Sequence, residues 1–355
     1  MKVIHCADLH LDSSMKTFLA THQANERKKE ILLTFERMLR FARNEEVKVI
    51  IIAGDMFDTE HVSLATKNRI FDLIRDYNDI DFLYLSGNHD EENMLGDISN
   101  DFDNLKVFGS NWTEFSYDNV SIVGTRLDKY TSYDTLNLDE NRKNIVVLHG
   151  QISKYNVLDS IETIPLPKLK DKNIDYLALG HIHSFECDKL DGRGVYCYAG
   201  CLEGRGFDEC GEKGFVLIDI NDTLDYKFIP FASRELKEVV YDISNHDNWF
   251  AIEKCVEEEI KDIDTSALIK ITLTGRYPLS MNKNIELFLK KLNTQYYFVK
   301  IKDETKLRLE EKDYLLDMSL KGEFIRKVMA SNLSQEDKDA VILMGIKSLE
   351  GEDLV

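Results

Sequence analysis

Apolar residues follow two alternating spacings along the first third of the chain. Nearly continuous apolar runs at residues 2–6, 47–53 and 81–85 predict buried β-strands, and stripes at helical spacing at 26–44 and 64–77 predict helices between them. Because buried strands that alternate with helices are typical of parallel sheets, this part of the chain predicts a parallel sheet with helices packed on it.

From about residue 107 onward the pattern changes to short apolar strands joined by irregular connections. These strands are predicted at residues 120–124, 145–148, 176–179, 194–199 and 214–220. We expect them to form a second sheet that packs on the first.

A boundary is predicted at residues 233–237, because the signals after it form a small α/β module of their own. Strands and helices alternate there at residues 238–243, 249–260, 267–274, 284–292 and 296–301. Two helices are predicted in a charged tail, at 321–331 and 335–348, with Ser334 as the N-cap of the second. The predicted domains are residues 1–235, 236–303 and 304–355.

The composition is that of a globular protein and predicts no membrane segment. Hydrophobic residues make up 43% of the 355 residues and charged residues 31%, with no apolar stretch as long as a membrane span and no secretory signal. The six cysteines form no CxxC pair, so we expect thiols in a reducing cytoplasm. A zinc site formed by Cys197, Cys201 and Cys210 is the alternative, although their spacing matches no common zinc motif.

The net charge of −19 restricts how this chain can bind nucleic acid. Phosphate groups are normally bound by Lys and Arg, so the charge argues against tight binding of DNA by this chain alone. It is compatible with a DNA enzyme whose partner supplies a positive surface.

Short motifs rich in Asp, His and Gly follow several of the predicted strands. They are Asp8-Leu9-His10, Gly54-Asp55, Gly87-Asn88-His89-Asp90, His149-Gly150 and Gly180-His181-Ile182-His183. Each has an ordinary alternative when taken alone: a helix cap for Asp55, a turn for Gly87-Asn88, a structural imidazole for His149. Five of the nine histidines lie in these motifs. Loops at one edge of a sheet can bring such side chains together, so the combination predicts a metal centre.

The spacing within two of the motifs indicates how ions would be held. Alternate residues of an extended segment point the same way, so Asp8 and His10 can share one metal ion, and His181 and His183 can hold two adjacent ions. Asp, Asn and His ligands suit manganese, iron or zinc better than calcium. A pair of ions about 3.5–4 Å apart is typical of enzymes that hydrolyse phosphate esters.

The order of these motifs resembles that of the calcineurin-like metallophosphoesterase superfamily over about residues 1–220. Residues 4–11, 53–58 and 180–183 look most like the nuclease subunits of bacterial SbcCD complexes and their YhaO-type relatives, as does the Gly-rich loop at residues 198–214. The resemblance implies a four-layer α/β/β/α sandwich, a Mn²⁺-dependent DNA exonuclease and endonuclease acting in repair, and a homodimer.

The resemblance also implies a role for each motif residue. Asp8, His10, Asp55 and His183 would hold one metal ion. Asp55, Asn88, His149 and His181 would hold the other, with Asp55 as the bridging ligand. His89 would contact the scissile phosphate and assist the leaving oxygen, for which an imidazole pKa is suitable. Arg205 in the Gly-rich loop is a candidate phosphate contact, with a structural salt bridge as the alternative.

The C-terminal third resembles the capping domain and partner-binding helices of the same nucleases. The cap would orient DNA, and the tail would dock on the coiled-coil base of an ABC-type ATPase. Phe324, Ile325, Val328 and Met329 form an apolar stripe that could dock in this way or pack on the cap itself.

Two other functions remain open from the sequence. A phosphoesterase acting on small molecules or phosphoproteins would use the same metal centre and is easier to reconcile with the negative charge. A scaffold that has lost activity is the other alternative, and the presence of a residue of the required type at every ligand position argues against it.

Overall fold

The computed structural model describes residues 1–13, 15, 19–58, 62–87, 101–155, 160–309 and 314–349. The chain folds into two compact units, Met1–Glu235 and Leu236–Val355. Among the described residues, no helix has both the length and the apolar character that crossing a membrane requires. The further division at residue 303 stays a prediction.

The first unit contains two helices and two large sheets in its described part. The helices are α1 (Thr21–Asn44) and α2 (Leu64–Asp76). The strands are β1 (Lys2–Cys6), β2 (Val49–Ala53), β3 (Asp81–Leu85), β4 (Leu105–Val107), β5 (Thr113–Tyr117), β6 (Val120–Gly124), β7 (Lys143–His149), β8 (Gln151–Ser153), β9 (Thr163–Pro165), β10 (Tyr176–Gly180), β11 (Glu186–Lys189), β12 (Val195–Tyr198), β13 (Gly214–Ile220) and β14 (Leu224–Pro230).

The predicted parallel sheet forms the centre of the first large sheet, whose order is β14-β13-β1-β2-β3-β4. Strands β1 to β4 are parallel, while β13 and β14 are antiparallel additions at one side. The second sheet has the order β11-β12-β10-β7-β6-β5, with β6, β7, β10 and β12 parallel.

Successive side chains of the central strands point to opposite faces of the first sheet, and this alternation produces the layers of this unit. On one face of the first sheet, Ile50 and Phe82 pack with Phe35 of α1 and Ile70 of α2. Side chains of the other face pack against the second sheet in a separate apolar cluster, which includes Val49, Ile51, Ile145, Val147 and Ala178. The mixed α/β fold that the resemblance implies is therefore confirmed, with the helical layer and both sheets of the four-layer α/β/β/α sandwich in place.

The outer face of the second sheet is covered differently from the outer face of the first sheet. Its side chains pack with Tyr133, Leu136 and Leu166, which lie in irregular segments and in the short 3-10 helices Tyr133–Thr135 and Leu166–Lys168. In the described residues this fourth layer contains no α-helix, because the segments between the strands lack an apolar stripe of helical length.

A disulfide bond joins two of the cysteines that we expected to be thiols. Cys187 on β11 and Cys197 on β12 lie directly opposite each other in an antiparallel pair and are bonded. That expectation is therefore wrong for these two residues. The alternative zinc site is wrong as well, because the bond removes Cys197 as a ligand.

The second unit is a small α/β module with helices after it. Its strands are β15 (Leu236–Asp242), β16 (Leu268–Thr274), β17 (Arg276–Pro278), β18 (Phe298–Asp303) and β19 (Lys306–Arg308), and its helices are α3 (Trp249–Ile260), α4 (Ile285–Leu292), α5 (Leu320–Met329) and α6 (Gln335–Leu349). Strands β15, β16 and β18 form a parallel sheet. The Ser334 hydroxyl accepts a hydrogen bond from the Asp337 N–H at 3.1 Å, so the predicted N-cap is confirmed.

The apolar stripe on α5 packs inside this second unit. Ile325 and Val328 are buried in the same cluster as Ile342 and Ile346 of α6. Phe324 also packs against this cluster. The alternative in which the stripe packs on its own unit is therefore the one that the structure shows.

Candidate metal centre

The motif residues in the described part lie where parallel strands of the two sheets end. Asp8 and Asp55 follow β1 and β2, His149 ends β7, and His181 directly follows β10. Asp8, Asp55 and His181 have positive φ angles of 49°, 48° and 101°. Such angles are costly for residues other than glycine and cluster at functional sites.

A first group of possible ligands contains Asp8, His10 and His183, whose ligand atoms lie within 4.8 Å of one another. The Nε2 atoms of His10 and His183 are 3.2 Å apart. His183 Nδ1 lies 2.7 Å from Glu209 Oε1, which places a proton on Nδ1, so the neutral imidazole has its lone pair on Nε2.

The second imidazole of this group also lies near a carboxylate. His10 Nδ1 lies 3.6 Å from Asp58 Oδ1, so a proton on Nδ1 faces that carboxylate. Two Nε2 lone pairs then face each other at 3.2 Å. A cation beside both nitrogens would satisfy them, and the Asp–His donor set suits Mn²⁺, Fe²⁺ or Zn²⁺.

A second group contains Asp8, Asp55 and His149, again within 4.8 Å of one another. His149 Nδ1 lies 2.9 Å from the carbonyl oxygen of Ala53 and donates to it, so its Nε2 faces Asp55 Oδ2 at 3.5 Å. The same Oδ2 lies 3.9 Å from His10 Nε2. Asp55 is therefore near ligands of both groups, and Asp8 belongs to both.

His181 contacts both groups. Its backbone N–H donates to both carboxylate oxygens of Asp8, at 3.0 and 3.1 Å. Its ring packs edge-on against His149, with centroids 5.4 Å apart. Asn88 and His89, predicted as a ligand and a catalytic residue, lie outside the described residues.

The buried carboxylates of Asp8 and Asp55 cost free energy in their charged form unless a cation is bound beside them. Asp8 and Asp55 are each 1% exposed. Burial raises the pKa of Asp8, although His149 and His183 nearby act in the opposite direction. Burial also lowers the pKa of His181, which favours the neutral imidazole that binds metals. A pair of divalent ions would offset this cost, so the residues present fit such ions.

Glycines allow the backbone to approach His149 closely. A Cβ atom on Gly54, whose φ is 95°, would lie 1.9 Å from His149 Nδ1. A Cβ atom on Gly180 would lie 1.8 Å from the carbonyl oxygen of Ala53, which is the acceptor for that nitrogen. Both glycines are therefore required by space, and Gly54 by its backbone conformation as well.

Glu209 is a site residue that we did not predict. It lies in the Gly-rich loop, is 5% exposed, and accepts from His183 and from the Arg205 guanidinium at 2.8 Å. Burial raises the pKa of Glu209, but these hydrogen bonds and the Arg205 charge outweigh it and hold that pKa well below its usual range. A carboxylate that orients a metal-binding imidazole is a common arrangement in metalloenzymes.

Arg205 takes part in ion pairs inside the protein. Its guanidinium lies 2.8 Å from Glu209 and 3.7 Å from Asp58. The structure thus shows the salt bridge that we considered as its alternative role, and a phosphate contact by Arg205 stays a prediction.

A second acidic residue of the Gly-rich loop attaches the loop to α1. Glu203 is 2% exposed and accepts from Arg27 at 3.1 Å and from Thr34 at 2.6 Å. Arg27 is itself 1% exposed and also donates to the Gly204 carbonyl at 2.9 Å. The loop that presents Glu209 is therefore fixed to the helical layer.

The family model for calcineurin-like phosphoesterases matches residues 1–185, and the chain belongs to this family. Its members hydrolyse phosphoester bonds. The expected resemblance to this superfamily is thereby confirmed.

Several relatives extend this likeness beyond the family domain. The DNA double-strand break repair protein Mre11 of Sulfolobus acidocaldarius is 28% identical over 302 residues, which are 79% of this chain and 76% of that protein. Mre11 of Saccharolobus solfataricus is 26% identical and matches 100% of this chain and 97% of its own length. The uncharacterized metallophosphoesterase YhaO of Bacillus subtilis is 24% identical, over 78% of this chain and 72% of that protein.

Proposed function

We propose that this chain is a two-metal phosphodiesterase that cleaves DNA during repair in the cytoplasm, with Mn²⁺ as its metal. Two relatives named as DNA double-strand break repair proteins, matched over most of their length, support DNA as the substrate. The observation that carries the proposal is the pair of ligand groups that share Asp8, with Asp55 close to both.

The proposed ligands are the motif residues of both groups. One ion would be held by Asp8, His10, Asp55 and His183, and the other by Asp55, Asn88, His149 and His181. Two bound divalent ions supply Lewis acidity at the phosphate and a nucleophile at neutral pH. The protein orients the imidazoles by Glu209 and the Ala53 carbonyl, and His89 would protonate or stabilise the leaving oxygen.

Incubation of end-labelled duplex DNA with the Mn²⁺-loaded protein tests this proposal. We expect the label to be released as short products, and both Asp55→Asn and removal of the metal with EDTA to abolish the release. Purified protein that binds Mn²⁺ and hydrolyses a small model diester, yet leaves all DNA intact both alone and with an ABC-type ATPase partner added, would contradict DNA as the substrate.

A phosphodiesterase of small molecules is the second candidate, and the charge favours it. The net charge of −19 would repel a DNA backbone, and two divalent ions offset only part of it. The DNA proposal therefore includes an ABC-type coiled-coil ATPase that supplies a positive surface, and a homodimer. Adding such an ATPase from the same organism should increase the rate of DNA cleavage.

Exposed apolar side chains near α5 and α6 support docking of a partner there. Leu316 is 86% exposed, Met318 92% and Met344 62%. Exposed apolar groups of this kind are typical of interaction sites. Replacing Leu316 and Met318 by Ser should abolish co-purification with the ATPase, whereas Leu64→Ser, at a 75% exposed position in the first unit, should not. Retained co-purification by the double variant would contradict docking at this surface.

A further inference from the structure

A cavity of about 530 Å³ adjoins the metal centre on the side of His149. Gly87 and His149 line it where it meets the ligand groups, and Arg126, Lys129, Tyr130 and Ile161 line it further out. A second cavity of about 230 Å³ shares Lys129 and Ile161 with the first. Volumes of this order are typical of sites for small organic ligands.

The loop that carries Tyr130 is held in one shape by its own hydrogen bonds. Asp128 Oδ1 accepts from the Tyr130 N–H at 2.7 Å and from the Thr131 hydroxyl at 3.2 Å. The Thr131 hydroxyl accepts from the Asp128 N–H at 2.9 Å. This turn engages one carboxylate oxygen of Asp128 within the loop and leaves the Tyr130 side chain 78% exposed at the cavity.

The walls of the cavity combine apolar and cationic groups with the carboxylates of Asp128 and Glu162. Tyr130 and Ile161, which is 59% exposed, offer apolar surfaces. Lys129 Nζ lies 4.9 Å from the centroid of the Tyr130 ring. An aromatic face beside a cation is the combination by which proteins bind unpaired nucleotides: the ring stacks on a base and the cation attracts a phosphate.

We propose that this base cleft, formed by Arg126, Lys129, Tyr130 and Ile161, binds the nucleoside next to the scissile phosphate, with its base stacked on the Tyr130 ring. This inference rests on the proposed function only in placing a phosphate ester at the metal centre. A base that lies on a tyrosine ring is not stacked in a duplex, so the enzyme would act on single-stranded or frayed DNA ends.

Calorimetry with the Mn²⁺-loaded protein tests the cleft without requiring DNA cleavage. The probes are thymidine 5′-monophosphate and 2-deoxyribose 5-phosphate, in which a hydroxyl group replaces the base. We expect the nucleotide to bind about tenfold more tightly, the order of one base–aromatic stack. Tyr130→Ala should reduce the nucleotide to the affinity of the sugar phosphate without changing the latter, and Tyr130→Phe should retain the difference.

Phe250→Ala is the matched control, because Phe250 is also an exposed aromatic residue next to a lysine. It is 63% exposed, and Lys254 Nζ lies 4.6 Å from its ring centroid. This variant should bind both probes as the unchanged protein does. Equal affinity of the two probes for the unchanged protein, or an equal loss for both in Tyr130→Ala, would overturn the proposal.

The same measurement separates this inference from the proposed function. If thymidine 5′-monophosphate binds through its base while end-labelled DNA stays intact, the result supports base binding in the cleft and points to a small nucleotide ester as the substrate. If DNA is cleaved while the base adds nothing to binding, the nuclease activity is supported and binding of a base in the cleft is contradicted.

Discussion

The candidate metal centre has two sides, one with the ligand group of His183 and the other with that of His149, and their histidines are oriented by different means. On one side, His183 Nδ1 faces the carboxylate of Glu209 at 2.7 Å. On the other, His149 Nδ1 donates to the backbone carbonyl of Ala53 at 2.9 Å. A side chain of the Gly-rich loop therefore orients the first imidazole, whereas the backbone of a central strand orients the second.

This difference predicts different responses to substitution. The His183 side can be weakened by changing one side chain, since the imidazole has no other acidic group within hydrogen-bond distance of its Nδ1 among the described residues. On the His149 side a backbone carbonyl accepts the Nδ1 hydrogen bond, so we expect a substitution to act on it through the space that Gly54 and Gly180 leave open.

Asp55→Asn should have the largest effect because it acts on both sides. Its Oδ2 lies near His10 and near His149, at 3.9 and 3.5 Å, and an amide cannot provide the same charge to two ions. We expect turnover of a model phosphodiester to fall by about 10³-fold or more, above the loss from one stabilising hydrogen-bond donor. Calorimetry should show weaker binding of Mn²⁺. Asp222→Asn, at an exposed turn, is the control. If Asp55→Asn still bound two ions with unchanged affinity, Asp55 would not be a ligand that the two ions share.

Gly180→Ala should have the next largest effect and should act on the His149 side. The added methyl group would lie 1.8 Å from the Ala53 oxygen and 2.8 Å from His149 Nδ1, so the hydrogen bond between them must break or shift. We expect about 1–3 kcal/mol lower stability to denaturant, the usual cost of overpacking, together with weaker binding of Mn²⁺.

Gly192→Ala is the control for that substitution, because among the described residues no atom beyond its two chain neighbours lies within 4 Å of the added methyl group. It should leave both stability and metal affinity unchanged. If Gly180→Ala behaved in the same way, the close approach of β10 to β2 would not determine how His149 is oriented.

Glu209→Gln should have a smaller effect, limited to the His183 side. The amide keeps the size of the side chain but loses the charge that favours the Nδ1 proton of His183. Loss of a partner of this kind typically weakens metal binding or activity about 10–100-fold, and stability should change little. Glu212→Gln, at an exposed position of the same loop, is the control. Equal metal affinity of the two variants would show that Glu209 holds the loop rather than the imidazole.

The sequence predicted the central strands well and the edge strands poorly. Strands β1, β3 and β6 occupy the predicted ranges, because their side chains are buried in apolar clusters. Strands β5, β11 and β14 lie at the edges of the sheets, where polar side chains face solvent and no apolar run marks them. Helix α1 begins at Thr21 instead of residue 26, since its first turn carries no apolar stripe.

The sequence indicated which strand ends would meet but not what would support them. Asp8, Asp55 and His149 come together because they follow parallel strands, a consequence of topology that motifs can reveal. Nothing in the sequence distinguishes Glu209 from its neighbour Asp208, which is exposed. The selection of Glu209 arises from how the Gly-rich loop is fixed to α1, and that contact joins residues distant in sequence.

Removal of the disulfide bond should have the smallest effect on the centre. Cys187 and Cys197 join the edge strand β11 to β12, and β12 pairs with β10, which leads to His181. Opening a loop with a sequence separation of 10 should lower stability by about 2–3 kcal/mol in the chain-entropy model. The hydrogen bonds that orient His183 and His149 come from the Gly-rich loop and from β2, so the double variant Cys187→Ser, Cys197→Ser should bind Mn²⁺ with unchanged affinity. A loss of Mn²⁺ affinity as large as that of Glu209→Gln would mean that the register of β12 against β10 also positions the ligands, and the support of the centre would extend to the edge of the second sheet.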